Sequence, residues 1–153
     1  MLTEIGLLII LTLLPFLELR ASIPYGIIIL QMNWPLVFLV CIITNIILAP
    51  IVFLIVDKFI HLFLKNKLLD KIYQKYVTKT QKKIHKYVNR WGELGVAIFI
   101  GIPLPGSGVY SGALGAYIIG MGLKRFFRSA VIGVLIAGVI VTILSVTGNV
   151  LVN

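Results

Sequence analysis

Apolar residues run along this chain in long blocks. Two of the blocks are uninterrupted and two are broken in the middle. Trp34 to Val56 is 23 residues without a formal charge, and Ser129 to Val152 is 24. A bilayer-spanning helix needs about 20 apolar residues, so each run is long enough for one span. The other two blocks, Met1 to Met32 and Gly92 to Leu123, have polar or helix-breaking residues at their centres. The first break is Glu18-Leu19-Arg20-Ala21-Ser22-Ile23-Pro24-Tyr25-Gly26, flanked by Pro15 and Pro24. The second is Ile102-Pro103-Leu104-Pro105-Gly106-Ser107-Gly108, too rich in proline and glycine to continue a regular helix. The limbs of the second block have about 11 to 15 residues, or about 16 to 22 Å of helix. That falls short of about 30 Å of hydrocarbon. Both broken blocks are therefore expected to be re-entrant hairpins with their breaks near the midplane.

Between the halves the pattern changes. Leu69, Ile72, Tyr73, Tyr76, Ile84, Tyr87, Val88 and Trp91 recur at three- and four-residue spacing, with lysines between them. This predicts an amphipathic helix, broken near Thr78 to Lys83, lying on the membrane surface with its lysines toward anionic lipid. Asn33-Trp34-Pro35 reads as an interfacial helix start, since Trp favours the headgroup level and Pro suits a first turn.

Composition agrees with a membrane protein: 59% of residues are hydrophobic and 12% charged, against about a quarter charged in soluble domains. The net charge of +9 is concentrated, because ten of the fourteen Lys and Arg residues lie between Lys58 and Arg90. Such clustering beside spans fits the positive-inside rule better than nucleic-acid binding. Placing both this stretch and Lys124 to Arg128 in the cytoplasm makes the second broken block leave and return on one side. The first broken block then enters from the outside, and both termini are outside. The expected fold is all-α integral membrane: an inverted repeat of re-entrant helical hairpin plus transmembrane helix, with an amphipathic cytoplasmic helix between the halves. Residues 1–56 form the first repeat, 57–91 the basic segment and 92–153 the second repeat of one membrane domain over 1–153. Met1 to Leu17 lacks the basic start of a secretory signal and is expected to remain in the mature protein.

The candidate chemistry lies at the breaks. Glu18 and Arg20 are charges at membrane depth, where they must face protein or a water-filled cavity. Arg20 is suited to clamp an anionic headgroup, and Glu18 to carry a proton or hold Arg20. In the second break, Pro103 and Pro105 stop the incoming limb, Gly106 and Gly108 let backbone N–H groups point inward, and Ser107 is expected to cap the helix starting near Val109. A helix N-terminus of that kind attracts anions. Gly108, Gly112, Ala116 and Gly120 form a small-residue stripe that permits close helix packing and a homodimer. Tyr110, Asn45, Pro50 and Asn149 are polar or kinking residues inside apolar segments and receive no role. The single cysteine, Cys41, allows no internal disulfide. His61 and His85 read as surface residues. There is no metal-ligand spacing, phosphate loop or nucleophile elbow, so neither cofactor nor enzymatic activity is expected.

The two motifs Glu18-Leu19-Arg20-Ala21-Ser22-Ile23-Pro24 and Gly101-Ile102-Pro103-Leu104-Pro105-Gly106-Ser107-Gly108 resemble those of the small multidrug export proteins and, more distantly, the DedA membrane proteins. The resemblance implies two re-entrant hairpins meeting at midplane. It also implies movement of polyprenyl phosphate or other lipids, with Glu18 and Arg20 on the first hairpin of the site. A further arginine after the second hairpin is implied, a place that Arg125 or Arg128 would fill.

Three functions follow as expectations. The first is transport or scrambling of an anionic lipid-like substrate, proton- or ion-linked. The second is export of small lipophilic cations with Glu18 as the site. The third is a non-transporting scaffold whose lysine-rich helix recruits an acidic partner or lipid. Membrane lipids are the expected surroundings in every case, and nucleic acid is not an expected partner.

Overall fold

A computed structural model describes residues 2–15, 17–63, 91–104 and 106–152. Among these residues every regular element is helical. They are α1 (Leu2–Leu13), α2 (Glu18–Pro24), α3 (Trp34–Phe63), α4 (Trp91–Gly101), α5 (Val109–Ile118) and α6 (Leu123–Val152). The lysine-rich amphipathic helix expected between the halves lies, from 64 to 90, outside the described residues, and so does Pro105.

Helices α3 and α6 have 30 residues each, about 45 Å at 1.5 Å per residue, long and apolar enough to cross a bilayer. Asn33 opens α3, its carbonyl accepting from the N–H groups of Leu36 and Val37. Both long helices begin or end beyond the uncharged runs: α3 continues through Asp57 and Lys58, and α6 starts before Lys124, Arg125 and Arg128. Leu39, Ile43, Ile47, Ile51, Leu54 and Leu62 recur along one exposed face of α3, and Ile132, Ile136, Val139, Ile143 and Leu144 along α6. A water-soluble surface does not carry apolar stripes of this length, so these faces are lipid-facing and the chain is a membrane protein.

The short helices pair off. Thr12 meets Ser22, and an added Cβ at Gly26 would lie 3.1 Å from Leu8 Cδ2. α1 and α2 therefore form an antiparallel hairpin. The same Cβ would lie 2.8 Å from Val37 Cγ1, and Ser22 Oγ is 3.2 Å from Cys41 Sγ. α2 and α3 are thus antiparallel in register, four residues up one matching four down the other. The next turn brings Glu18 level with the middle of α3. In the second half, Glu93 pairs with Arg125, Gly133 lies against Ala97 and Ile100, and Gly101 lies against Ile136. α4 therefore runs parallel to α6 and stops at its middle, from where α5 returns. α3 and α6 pack antiparallel, with Gly138 against Ile42 and Phe38, and Gln31 against Asn149. The two hairpin tips consequently meet at one level, halfway along both long helices.

The first break lies elsewhere than the pattern suggested. Leu14, Pro15 and Leu17 lie outside the helices, and Glu18 already opens α2 with φ 45°. Pro24 sits inside the helix rather than at a boundary. It is followed by a π-helical turn over Tyr25–Ile29, closed by Leu30 N–H on the Tyr25 carbonyl at 3.0 Å. Chemistry-bearing residues and a proline looked like an interruption, but the backbone needs only one wide turn to accommodate them. α5 ends as expected of a glycine stop: Gly120, at φ 78°, closes a Schellman motif in which Met121 N–H bonds Ala116 O and Gly120 N–H bonds Tyr117 O.

The small-residue stripe is used within the chain. A Cβ at Gly112 would come within 2.6 Å of Ile100 Cγ1, Gly108 faces Glu18, and Ala116 is buried. The stripe lets α5 approach α4 and α2, and so it is not an open dimer face. Gly133 is the tightest approach of α6 to α4, with an added Cβ 2.7 Å from both the Ala97 carbonyl oxygen and Ile100 Cβ. Gly133→Ala should cost about 1–3 kcal/mol of stability by overpacking. Gly115→Ala, whose Cβ meets nothing within 4 Å, should be neutral or slightly stabilising. Thermal unfolding in detergent reads both, and indistinguishable melting of the two variants would contradict this packing.

Candidate functional site at the meeting of the hairpin tips

The tips leave four helix ends inside the molecule, and each end has N–H or C=O groups without an intrahelical partner. In hydrocarbon those groups must be satisfied by protein. Side chains from the opposing hairpin satisfy three of the ends.

Glu18 serves the N-terminus of α5. It is 3% exposed, and its Oε2 and Oε1 accept from the backbone N–H groups of Val109 (3.0 Å) and Tyr110 (3.3 Å). The helix dipole adds to these charge-assisted bonds, by up to about 2 kcal/mol in a partly buried geometry. Gly108 is the N-cap residue, and its own N–H donates to Ser111 Oγ at 2.9 Å. That is one half of a capping box. The half that a glycine lacks is supplied by Glu18 from the other hairpin. Glycine is required here by space, because a Cβ at 108 would collide with the Glu18 carboxylate.

Arg20 serves the C-terminus of α4. Its Nη2 lies 3.0 Å from Ile100 O, 3.1 Å from Ile102 O and 3.2 Å from Ser107 Oγ. A cation is favoured at that end by the dipole. Its Nη1 is 3.9 Å from Glu18 Oε2. The third tie is Tyr110, whose hydroxyl donates to the Leu13 carbonyl in the last turn of α1.

The structure therefore brings together Glu18, Arg20, Gly106, Ser107 and Gly108, with Pro103 in the same turn, but in roles different from those expected. Ser107 does not cap α5. Its hydroxyl is 2.6 Å from Ile102 O and 3.0 Å from Leu104 O, so it closes the turn after α4 while receiving Arg20. Gly106, at φ 86°, supplies the left-handed residue of that turn. Arg20 and the α5 N-terminus, expected as a seat for an anion, are filled by the chain's own carbonyls and carboxylate. Arg125 and Arg128 are not at the site. Both hold Glu93 Oε1, at 2.8 and 3.0 Å, seven residues or about 10 Å along α4 from Ile100.

Sequence reasoning gave no role to Ser111 and Tyr110, although a serine three residues after Gly108 is a capping-box spacing. It also missed a buried polar chain. Thr12 Oγ1 lies 2.7 Å from Ser22 Oγ, which is 3.0 Å from Glu18 O and 3.2 Å from Cys41 Sγ. The signal was the presence of Thr12 and Ser22 in otherwise apolar segments.

A cavity of about 50 Å³ lies between the tips, lined by Pro15, Glu18, Arg20, Gly106, Gly108, Tyr110 and Ser111. One water needs about 10–15 Å³ of such space, and pockets for drug-sized ligands start near 300 Å³. The cavity admits a few waters, so this is a closed arrangement. Among the described residues no group of His, Cys, Asp and Glu could hold a metal ion.

A pair of long lipid-exposed helices with two short hairpins joined tip to tip through Glu18 and Arg20 defines a small helical membrane protein. Over residues 18–140 the sequence matches the family described as "Putative small multi-drug export protein", and the chain belongs to that family. The matched region begins at Glu18 and takes in Arg20, Ser107, Gly108, Tyr110 and Ser111, leaving the end of α1 outside it. No curated protein and no solved structure matches the chain.

Removing Glu18 should make room at position 108. Gly108→Ala alone should cost about 1–3 kcal/mol by displacing the carboxylate from its N–H partners. In a Glu18→Ala background the same substitution should cost less by at least about 0.5 kcal/mol. A double-mutant cycle on unfolding in detergent measures the difference, and strictly additive effects would mean that the two residues do not meet.

Proposed function

We propose that this chain is a proton-linked exporter of small lipophilic cations, in which Glu18 is the exchangeable carboxylate between the two hairpins. The reading includes an inverted repeat: each half is a re-entrant hairpin followed by a spanning helix, with the halves entering from opposite faces. The opposed directions of α3 and α6, and hairpin tips that stop halfway along them, support it. The basic stretches belong together in the cytoplasm. Tyr117 and His61 lie within 3.3 Å, and Glu93 meets Arg125, so the ends bordering those stretches share one end of the molecule.

The observation that carries the function is the Glu18 carboxylate, buried at mid-helix level and bonded to the first N–H groups of α5. While ionised, it locks the second hairpin to the first. Protonation removes the charge that the helix dipole and N–H groups hold, so the lock weakens and the tips separate. Among the described residues Glu18 is the sole acidic group at this level, and a lipophilic cation competes for the same carboxylate. The exposed apolar residues at the tips, Leu13, Leu14, Leu17, Ile102 and Leu104, give such a substrate a lateral route from the bilayer.

The test is efflux of a fluorescent lipophilic cation from proteoliposomes under an imposed proton gradient. Glu18→Gln should reduce gradient-driven efflux to background, while Glu93→Gln, at the far end of α4, should retain most of it. Efflux undiminished in Glu18→Gln would remove the reading.

A second reading keeps the anionic lipid substrate. It is favoured by what Glu18 leaves behind when it moves: the N–H groups of Val109 and Tyr110, facing a cavity that Arg20 also lines, form an anion seat. A labelled lipid phosphate in the same vesicles distinguishes the two, because it would cross the bilayer where the cation does not.

A further inference from the structure

Among the described residues, Asn45 is the side chain that breaks the rule on buried polar groups most plainly. It is 0% exposed, and neither its Nδ2 nor its Oδ1 has a hydrogen-bond partner. An amide buried in this way costs several kcal/mol in an apolar medium. Most buried side-chain polar atoms are paired, so an orphaned one calls for an explanation.

The helix register says which group it waits for. Gly26 lies against Val37, and Ser22 against Cys41. One more turn along both antiparallel helices sets Glu18 level with Asn45. Asn45 is also one turn from Cys41 on the same face of α3, so it continues the buried polar chain of Thr12, Ser22 and Cys41. The Glu18 carboxylate turns away from this face toward α5.

We infer that Asn45 is the second seat of the Glu18 carboxyl group. This rests on the reading of Glu18 as the exchangeable carboxylate and adds the place to which it moves. Ionised, the carboxylate accepts from Val109 and Tyr110. On binding one proton from water in the tip cavity it becomes a neutral acid, with no other bond made or broken. The acid then leaves the α5 N-terminus, donates its O–H to Asn45 Oδ1 and accepts from Asn45 Nδ2. A neutral carboxyl and a primary amide match as a two-bond pair, which a carboxylate cannot form because it has no proton to give. Asn45 is thus a positioning residue: it stabilises the protonated, unlocked state selectively. The titratable groups that interact with Glu18 are Arg20 on its own helix and Tyr110 on α5, while Cys41 on α3 meets Ser22, one turn along α2 from Glu18. Among the described residues, α1, α4 and α6 carry their charged groups near their ends, at Glu4, Glu93, Lys124, Arg125 and Arg128.

Infrared difference spectra of the reconstituted protein, acid minus neutral, test this directly. The wild type should show the C=O band of a protonated carboxylic acid, absent in Glu18→Gln. Asn45→Leu should move that band to higher wavenumber, because its carbonyl loses a donor. The same variant should lower proton-driven efflux about tenfold or more, as expected for losing a buried partner, and shift its pH profile to more acidic values. Asn45→Leu should also melt no lower than wild type, since it removes an orphaned amide; should it fail to fold, Asn45→Ser, which keeps one polar atom, serves for the same spectra. An Asn45 variant with an unshifted carboxyl band and an unchanged pH profile would overturn the inference while leaving Glu18 as the exchangeable group. A Glu18→Gln protein that still exports would instead overturn the reading beneath it.

Discussion

Everything at the centre of this molecule follows from one constraint: helix ends buried within a bundle of apolar helices need protein groups to satisfy them. Two hairpins that stop halfway along the long helices expose such ends to each other. The chain resolves this by exchange, each hairpin supplying the charge or hydroxyl that the other one's backbone requires. Glu18 takes the positive end of α5, Arg20 takes the negative end of α4, and the Tyr110 hydroxyl takes a carbonyl at the end of α1. Neither hairpin satisfies its own helix ends, so each is completed by the other.

The exchange explains why apparently unrelated residue choices go together. Gly108 is glycine because the Glu18 carboxylate fills the volume of its side chain. Ser111 supplies the part of the cap that still belongs to α5. Ser107 carries the turn after α4 into contact with Arg20. Away from the tips, glycines at 26, 133 and 138 let the long helices come close enough to hold the tips in register. Without that register, two charges on a seven-residue helix could not reach two helix ends some 80 to 90 residues away in the chain.

A lock made of one carboxylate is also a lock that one proton can weaken. In the proposed reading this links the structural role of Glu18 to transport without a separate binding residue, and the cavity between the tips, about 50 Å³, is too small to hold such a substrate as it stands. On the inference drawn above, the partnerless amide of Asn45 belongs to another state of the same molecule.

The amino-acid sequence by itself determined the membrane class, the two long apolar runs and the proline- and glycine-rich break from Ile102 to Gly108 between Gly92 and Leu123, and it singled out Glu18 and Arg20 as charges in apolar surroundings. These are local matters: apolar run length, proline and glycine chemistry, and the cost of charge in lipid are all carried by neighbouring residues. The tertiary structure decided what the charges do. Arg20 looked like a clamp for an external anion, and only the approach of α4 turned it into a helix cap. Arg125 and Arg128 looked like site residues, and only the parallel packing of α4 and α6 gave them to Glu93. Pro24 looked like a boundary, and only the packing of Gly26 against Val37 and Leu8 shows a helix continuing through a π turn. A side chain's partner from the other end of the chain is fixed by packing register, and register is a property of several helices at once that no single stretch of sequence contains.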